Sequence, residues 1–293
     1  SLNQDGSVQL MLGATEIGQG ADTVFSQMVA ETLHTDMEHV HIKTVQDTDV
    51  SPFDTGAYAS RQSFVTGTAV RHCAEILRDK ILAYAKTLLP EIDTRELTLK
   101  DNWIWAGDEQ AISLAALAEE SYYSLTNSSV LTAEVSEQVK KNTIATGCCF
   151  AEVEVDIKLG KIKILHIINV HDSGKLLNPQ LAEMQVHGGM SMGMGYGISE
   201  QLILDEKTGR PLNGNLLDYK LMTMLDTPDI KADFVELCDP MGPYGNKALG
   251  EPPAIPCAPA IRNAVLHATG VAFYENPLTP QRLIDGFQKA GLI

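Results

Sequence analysis

The length of 293 residues allows one large domain or two of ordinary size. Hydrophobic residues make up 44% of the chain and charged residues 20%, which is typical of a globular protein with a substantial core. A net charge of −16 leaves no basic excess for binding a nucleic acid or an anionic membrane. No window approaches the roughly 18 consecutive apolar residues of a membrane-spanning helix. We therefore exclude nucleic-acid and membrane partners.

The five cysteines are scattered and form no CxxC pair; they are Cys73, Cys148, Cys149, Cys238 and Cys257. This spacing suits neither a zinc site nor an iron–sulfur cluster. We expect free thiols in a reducing, cytoplasmic compartment.

The first half of the sequence alternates strand-like and helix-like segments. Phe25, Met28 and Val29 fall on one helical face, which predicts an amphipathic helix after a glycine-rich turn. The predicted elements are strand 7–12, helix 21–33, strand 39–45, helix 64–88, short strands near Leu97 and Trp103, and helix 114–121.

The second half follows a polar segment, 124–142, which predicts a connecting loop. Its predicted elements are a hairpin of strands 151–157 and 162–170, a helix from Pro179, strand 230–237, and helices 259–269 and 278–289. Because both halves mix strands and helices in a similar order, we predict an α+β fold of two similar blocks of mixed β-sheet packed with helices. The blocks are 1–123 and 143–293.

The first segment that could carry chemistry is Gly-Ala-Thr-Glu-Ile-Gly-Gln-Gly at 13–20. It links a strand to a helix N-terminus, a geometry that presents backbone N–H groups to an anion such as phosphate. It matches neither G-x-G-x-x-G nor a P-loop. A plain tight turn is the alternative.

The second segment is Asp-Thr-Gly-Ala-Tyr-Ala-Ser-Arg-Gln at 54–62, directly before the long helix. Its small side chains would let a ligand lie against the backbone. Alternatively, Ser60 could simply cap the helix.

The third segment, 184–197, contains five glycines within a predicted helix. Each costs roughly 1 kcal/mol of helix stability, so such a run is kept where a backbone or a ligand must approach closely. Its methionines could be adaptable core filler. His187 has no partner at metal-ligand spacing, so we do not interpret it as a ligand.

The fourth segment, 247–256, holds Glu251 between a glycine and two prolines. This frame gives close approach and stiffness, which a reacting acid needs because its position decides whether a proton can transfer. We expect an apolar, buried setting for this carboxyl group. An ordinary loop acid is the alternative.

Taken together, the 13–20 turn, Gly-Ala-Tyr-Ala-Ser-Arg, Gln-Val-His-Gly-Gly and Lys-Ala-Leu-Gly-Glu-Pro-Pro resemble the xanthine dehydrogenase/aldehyde oxidase family. Specifically, they resemble the C-terminal part of its large molybdenum-cofactor subunit. Each motif alone has low specificity, but the four occur in the family's order across about residues 5–290. The family's subunits are considerably longer. With a chain that opens at Ser1, the resemblance therefore implies a fragment whose absent upstream half supplies the rest of the cofactor site and much of the substrate pocket.

The resemblance implies that Glu251 is the general base next to molybdenum. It would take the proton of a molybdenum-bound hydroxide as that oxygen attacks an electron-poor carbon, in a heterocycle such as a purine or in an aldehyde. Hydride would pass to a sulfido ligand, Mo(VI) would be reduced to Mo(IV), and water would supply the oxygen.

The resemblance also implies the residues that hold a molybdenum–pterin cofactor. They are Gly18, Gln19 and Gly20 in the turn, Ala57, Ala59, Ser60 and Gln62 in the next loop, and Gln185 near the ligands of the metal. Molybdenum would be held by the dithiolene of the pterin and by no side chain. The implied cofactor form is molybdopterin cytosine dinucleotide.

The implied partners are the remaining half of the subunit, iron–sulfur and FAD subunits or domains, and further copies in a homo-oligomer. Two alternatives stay open: a catalytically inactive, isolated cofactor-binding fragment, and an unrelated phosphate-ligand-binding protein that uses the 13–20 turn. The sequence identifies neither the substrate nor whether the enzyme is a dehydrogenase or an oxidase.

Overall fold

A computed structural model describes residues 1–43, 47–93, 96–139 and 141–293. The chain folds into two compact units. Unit 1 contains Ser1–Thr143 and Pro240–Asn246, and unit 2 contains Ile144–Asp239 and Lys247–Ile293. Both combine helices with small sheets, which confirms the α+β prediction.

Unit 1 begins with two short parallel strands, β1 (Val8–Leu10) and β2 (Val40–Ile42), joined by helix α1 (Ala21–Leu33). The predicted bounds of α1 are confirmed, because its apolar face is buried and left-handed residues flank both ends. The predicted strand 39–45 extends beyond β2 into residues 44 and 45, which lie outside the described residues.

Helix α2 (Gln62–Leu88) packs on α1. An antiparallel sheet follows, made of β3 (Leu97–Lys100), β4 (Trp103–Ala106) and β5 (Glu109–Ser113), and then helix α3 (Leu114–Tyr123). Strand β5 was not predicted, because it is an outer strand with exposed, mostly polar residues and no alternating apolar signal.

Two irregular segments complete unit 1. In the segment predicted as a connecting loop, Leu131 is buried and the carbonyl of Thr132 accepts from Lys80 Nζ of α2 at 2.7 Å. From the other end of the chain, Tyr244 donates to the carbonyl of Met28 at 3.0 Å and also bonds Thr32. The segment 240–246, which the sequence interpretation included in the second block, therefore belongs to unit 1.

Unit 2 is built on a long hairpin of β6 (Thr146–Asp156) and β7 (Lys161–Asp172), with β8 (Asp229–Phe234) parallel to β7. Its helices are α4 (Pro179–Ile198), α5 (Cys257–Thr269) and α6 (Pro280–Lys289). The hairpin strands are longer than predicted, and β8 ends three residues before the predicted end. Each unit thus contains a parallel strand pair whose connection includes a helix, β1–α1–β2 and β7–α4–β8.

The glycine-rich segment is helical throughout, and its buried face forms part of the core of unit 2 with Val186, Met190 and Met194. A Cβ added at Gly189 would lie 2.6 Å from Pro253 Cβ, and one added at Gly193 would lie 2.6 Å from the carbonyl oxygen of Ala254. Close backbone approach therefore explains these two glycines, as the sequence predicted. In the described part of the chain, no helix has both the length and the apolar character needed to cross a bilayer.

Two glycines of α4 predict opposite stability effects. Gly193→Ala should lower the free energy of unfolding by about 1–3 kcal/mol, because the new methyl group overlaps backbone that cannot move aside cheaply. Gly188→Ala should raise it by about 1 kcal/mol, because that site is exposed, has nothing within 4 Å and gains helix propensity. Denaturant unfolding of both variants checks the pair. Equal effects of the same sign would contradict the packing described here.

Candidate functional site

Unit 1 brings the turn and the loop that were predicted to contact a cofactor into direct contact. Gln19 Nε2 and Gln62 Nε2 both donate to the carbonyl of Thr15, at 2.9 and 3.0 Å, and Gln19 Nε2 also donates to Gln62 Oε1 at 2.5 Å. Gly13 lies so close to the loop that an added Cβ would be 2.2 Å from the carbonyl oxygen of Pro52. The turn and the loop therefore form one continuous structure.

Glu16 already occupies the amides at the start of α1. Its Oε1 accepts from the N–H of Gly18 at 2.7 Å and of Gly20 at 3.1 Å, and its Oε2 accepts from the N–H of Asp22 at 3.0 Å. Burial acts to raise the pKa of Glu16, but these donors outweigh it and lower the pKa. The prediction that this turn offers free N–H groups to an anion is therefore wrong, because a side chain of the chain itself fills that position. The phosphate-ligand alternative loses its structural basis.

The loop before α2 is held by a partly buried charge pair. Arg61 Nη1 lies 2.7 Å from Asp54 Oδ1, which also accepts from the N–H of Gly56 at 2.8 Å. Ala59 and Ser60 both have φ near +51°, in the left-handed region that non-glycine residues rarely adopt. The residue at the N-cap of α2 is Arg61, whose side chain makes no capping bond, so the alternative of Ser60 as the helix cap is also wrong.

The amides of this first group retain capacity for a ligand. Gln19 uses both N–H donors and one lone pair of Oε1, which accepts from the N–H of Ile17. Gln62 has one N–H donor and one oxygen lone pair beyond its bonds to Thr15 and Gln19. Gly18 is exposed, and a Cβ built on it would meet nothing within 4 Å. The remaining donor and lone pairs are the kind of groups that a planar ligand rich in donors and acceptors, such as a pterin, would use.

Unit 2 brings the third and fourth segments together. Gln185 Nε2, on α4, donates to the carbonyl of Gly250 at 3.0 Å, directly before Glu251. Asn169 Nδ2, on β7 and fully buried, donates to the carbonyl of Pro253 at 2.9 Å. The backbone is thus fixed on both sides of Glu251.

The loop is anchored at its start by a buried ion pair. Lys247 Nζ lies 2.6 Å from Asp172 Oδ2, and the two side chains are only 11% and 10% exposed. Burial acts to raise the pKa of Asp172, but the bond from Lys247 and the backbone donors of Gly174 and Leu237 outweigh it and lower the pKa. Lys247 also donates its backbone N–H to the carbonyl of Ser173, so this residue is tied to the end of β7 twice.

Glu251 itself is exposed in this chain. Its backbone carbonyl accepts from the N–H of Ala254 at 3.0 Å, which closes a turn over the two prolines. The stiff frame is as predicted, but the expected apolar, buried setting of the carboxyl group is not provided by these residues.

Several residues of these clusters were not singled out from the sequence: Glu16, Asn169, Asp172 and Tyr244. An acid just before a helix is a signal that could have identified Glu16, because it complements the helix dipole. Asp172 lies two residues beyond the predicted strand 162–170, and nothing local pairs it with a lysine 75 residues later. Within the described residues, no three His, Cys, Asp or Glu side chains are grouped so that they could hold a metal ion.

Comparisons with known proteins agree on one family. The family model of the molybdopterin cofactor-binding domain matches residues 1–228. The xanthine dehydrogenase molybdenum-binding subunit of Escherichia coli O157:H7 is 50% identical, covering 100% of this chain and 39% of that protein. An aldehyde oxidoreductase molybdenum-binding subunit of the same organism is 28% identical, covering 97% and 37%. Quinoline 2-oxidoreductase from Pseudomonas putida 86 has a TM-score of 0.89 at 26% identity, covering 98% and 37%. The chain spans less than two fifths of the length of these relatives.

The ion pair at the start of the 247–256 loop predicts a strong effect of one substitution. Asp172→Asn should lower the free energy of unfolding at pH 7 by about 3–5 kcal/mol, because it leaves the Lys247 charge buried without a partner. Asp229→Asn is the matched control: its side chain is 85% exposed, so its loss should stay within about 1 kcal/mol. Denaturant unfolding measures both.

The depressed pKa of Asp172 also fixes the sign of the pH dependence. Its contribution to stability is present above the pKa of an unfolded aspartate, about 3.9, and is lost as the pH falls through the lower folded value. Asp172→Asn should therefore lose less stability on acidification than the unmodified chain. An identical acid slope for the two proteins would contradict the assignment.

Proposed function

Because the chain belongs to the molybdopterin cofactor-binding domain family, we propose that it is the part of a molybdenum hydroxylase subunit that carries the general base. The hydroxylase is of the xanthine dehydrogenase type, which the 50% identity to such a subunit supports. The observation that carries the proposal is the fixation of the Glu251 turn by two amide side chains, Gln185 before it and Asn169 after it.

Glu251 is proposed to accept a proton from the oxygen nucleophile as it attacks the substrate carbon. The bound molybdenum–pterin group supplies the two-electron oxidation. General-base catalysis requires the carboxylate to lie within hydrogen-bond reach of the proton. A fixed backbone favours this step because it holds the carboxylate in position. The Gly250 carbonyl, the Pro253 carbonyl and the turn between Glu251 and Ala254 meet this requirement within unit 2.

The residues proposed to bind the cofactor are Gly18, Gln19, Gly20, Ala57, Ala59, Ser60, Gln62 and Gln185. The second N–H donor of Gln62 and the second oxygen lone pairs of Gln19 and Gln62 are the groups that would bond the pterin. Gln185 acts differently, because one of its two N–H donors bonds the Gly250 carbonyl and thereby positions Glu251.

The rest of the subunit is proposed to cover an apolar surface of unit 2. The segment between α4 and β8 exposes several large apolar side chains almost fully, among them Leu216 at 80%, Leu217 at 77%, Met224 at 94% and Leu225 at 98%. Contiguous exposed apolar residues of this kind mark an interaction surface. The short span of the chain relative to its relatives makes the remaining part of the same subunit the proposed occupant.

Electron transfer and assembly are proposed on the same basis. Iron–sulfur and FAD groups would lie on partner chains or domains, the pterin would be the cytosine dinucleotide form, and the enzyme would be a cytoplasmic homo-oligomer. The five free cysteines support a reducing compartment. For the substrate we propose an electron-poor heterocycle such as a purine in preference to an aldehyde, because identity is 50% to the xanthine dehydrogenase subunit and 28% to the aldehyde oxidoreductase subunit.

Glu251→Gln tests the proposed base. In the complete enzyme this variant should retain molybdenum but lose turnover by about 10²–10⁴, because the amide keeps the shape of the carboxylate and cannot take the proton. Metal content and kcat are measured on the same preparation. Glu183→Gln, an exposed acid on α4, is the control and should keep normal turnover. Normal turnover of the Glu251→Gln enzyme would remove Glu251 from the mechanism.

The 293-residue chain on its own should fold but contain no molybdenum and show no hydroxylase activity. Its buried cores need no cofactor, whereas a cofactor site that lacks the rest of the subunit leaves a large charged ligand partly in water. The exposed apolar segment should also cause self-association. Molybdenum analysis and light scattering check these points. A monomeric chain loaded with cofactor would show that the site is complete within these residues.

A further inference from the structure

Two thiols meet directly beneath the Glu251 turn. Cys149 lies on β6 opposite Asn169 of β7, and Cys257 is the first residue of α5. The two sulfur atoms are 3.9 Å apart. Asn169 Nδ2 also lies 3.8 Å from the sulfur of Cys257, which is fully buried and contacts the carbonyl of Pro253 at 3.4 Å. The Pro253 carbonyl, in the turn that carries Glu251, therefore accepts from both Asn169 and Cys257.

The other cysteines of the chain do not share this arrangement. Cys148 is exposed, and because side chains alternate along a strand it points to the opposite face of the sheet from Cys149. Cys238 is exposed as well, and Cys73 lies in unit 1, where its sulfur donates to the carbonyl of Ala133. Cys149 is only partly buried and can be reached by a small oxidant, whereas Cys257 is fully buried.

We propose that Cys149 and Cys257 are a redox modification site at which a hydroperoxide forms a reversible disulfide. The Cys149 thiolate attacks the peroxide, the O–O bond breaks, an alcohol or water leaves, and Cys149 becomes a sulfenic acid. The Cys257 thiol then attacks that sulfur, the S–O bond breaks and water leaves as the S–S bond forms. Two electrons pass from the thiol pair to the peroxide, and a small dithiol reductant reverses the change.

The electrostatics of the pair assign these two roles. The hydrogen-bonding contact with Cys257 lowers the pKa of Cys149, although burial opposes the shift. The same contact, together with burial, raises the pKa of Cys257. Cys149 is therefore the thiol that ionises first and attacks the oxidant, and Cys257 resolves the sulfenic acid.

Disulfide formation would affect the turn above the pair. The sulfur atoms must close from 3.9 Å to about 2.05 Å, which draws the Cys257 sulfur from the Pro253 carbonyl. The backbone of Gly193, on α4, lies close to Cys257: a Cβ added at Gly193 would be 2.7 Å from Cys257 Cβ. Cys257 therefore has little room to move toward α4 when the disulfide forms. The thiol state is thus coupled to the backbone that follows Glu251.

The test is peptide mapping of the full-length subunit, purified reduced and then exposed to hydrogen peroxide. Among the five thiols of residues 1–293 we expect two to be lost, with one cross-linked peptide pair joining Cys149 to Cys257, lighter by two hydrogen atoms and restored by dithiothreitol. The cross-link should disappear in Cys149→Ser and Cys257→Ala and persist in the matched control Cys148→Ser. This readout does not depend on the proposed enzymatic function.

Two results would overturn the proposal. One is oxidation of Cys148 and Cys238 with no peptide joining Cys149 to Cys257. The other is conversion of Cys149 to a sulfinic acid while Cys257 stays a thiol. Since Cys257→Ala could unfold, Cys149→Ser, at the less buried position, gives the same comparison independently. Hydrogen exchange at the Ala254 amide should change on oxidation of the unmodified protein only, and unchanged exchange would refute the coupling to the turn.

Discussion

The buried ion pair between Lys247 and Asp172 is the constraint on which the geometry of the Glu251 turn depends. Removing two charges from water is costly, and the pair recovers that cost only because Asp172 also accepts backbone N–H groups and Lys247 is tied to Ser173 through its own backbone. Such a pair tolerates little displacement. It therefore fixes Lys247, the first residue of the loop, against the end of β7, and the later residues of the loop start from that point.

Downstream of the ion pair, position is maintained by close packing as well as by polar bonds. Pro253 and Ala254 lie on the glycine face of α4, where any Cβ at Gly189 or Gly193 would collide with them. Five glycines lower the intrinsic stability of this helix, by roughly 1 kcal/mol for each. The burial of Val186, Met190 and Met194 in the same helix offsets this cost, so α4 forms because of its tertiary contacts.

Features with a local periodic signal could be predicted from the sequence. The bounds of α1 and the existence of α2 and α4–α6 followed from apolar spacing and glycine or proline at the ends. Strand β5 could not be predicted, because an exposed outer strand has no such pattern. Neither could the docking of Tyr244 on α1, more than 200 residues away in sequence, nor the Lys247–Asp172 pair. Of the candidate site, motif order pointed to Gln19, Gln62, Gln185 and Glu251. The strand–turn–helix geometry of 13–20 predicted free turn amides, which Glu16 occupies instead.

Amide side chains recur in both units for a common physical reason. Gln19 and Gln62 bond the Thr15 carbonyl, Gln185 bonds the Gly250 carbonyl, and Asn169 bonds the Pro253 carbonyl. Fixing a backbone carbonyl requires an N–H donor, and a lysine in its place would add a buried charge and a flexible stem. An amide remains neutral and also keeps an oxygen that can accept a hydrogen bond. An amide side chain can therefore fix a loop through its N–H group, while its oxygen can accept a hydrogen bond from a ligand such as a pterin. Carboxylates contribute to both units as well: Glu16 accepts backbone N–H groups at the start of α1, and Asp172 pairs with Lys247 at the end of β7.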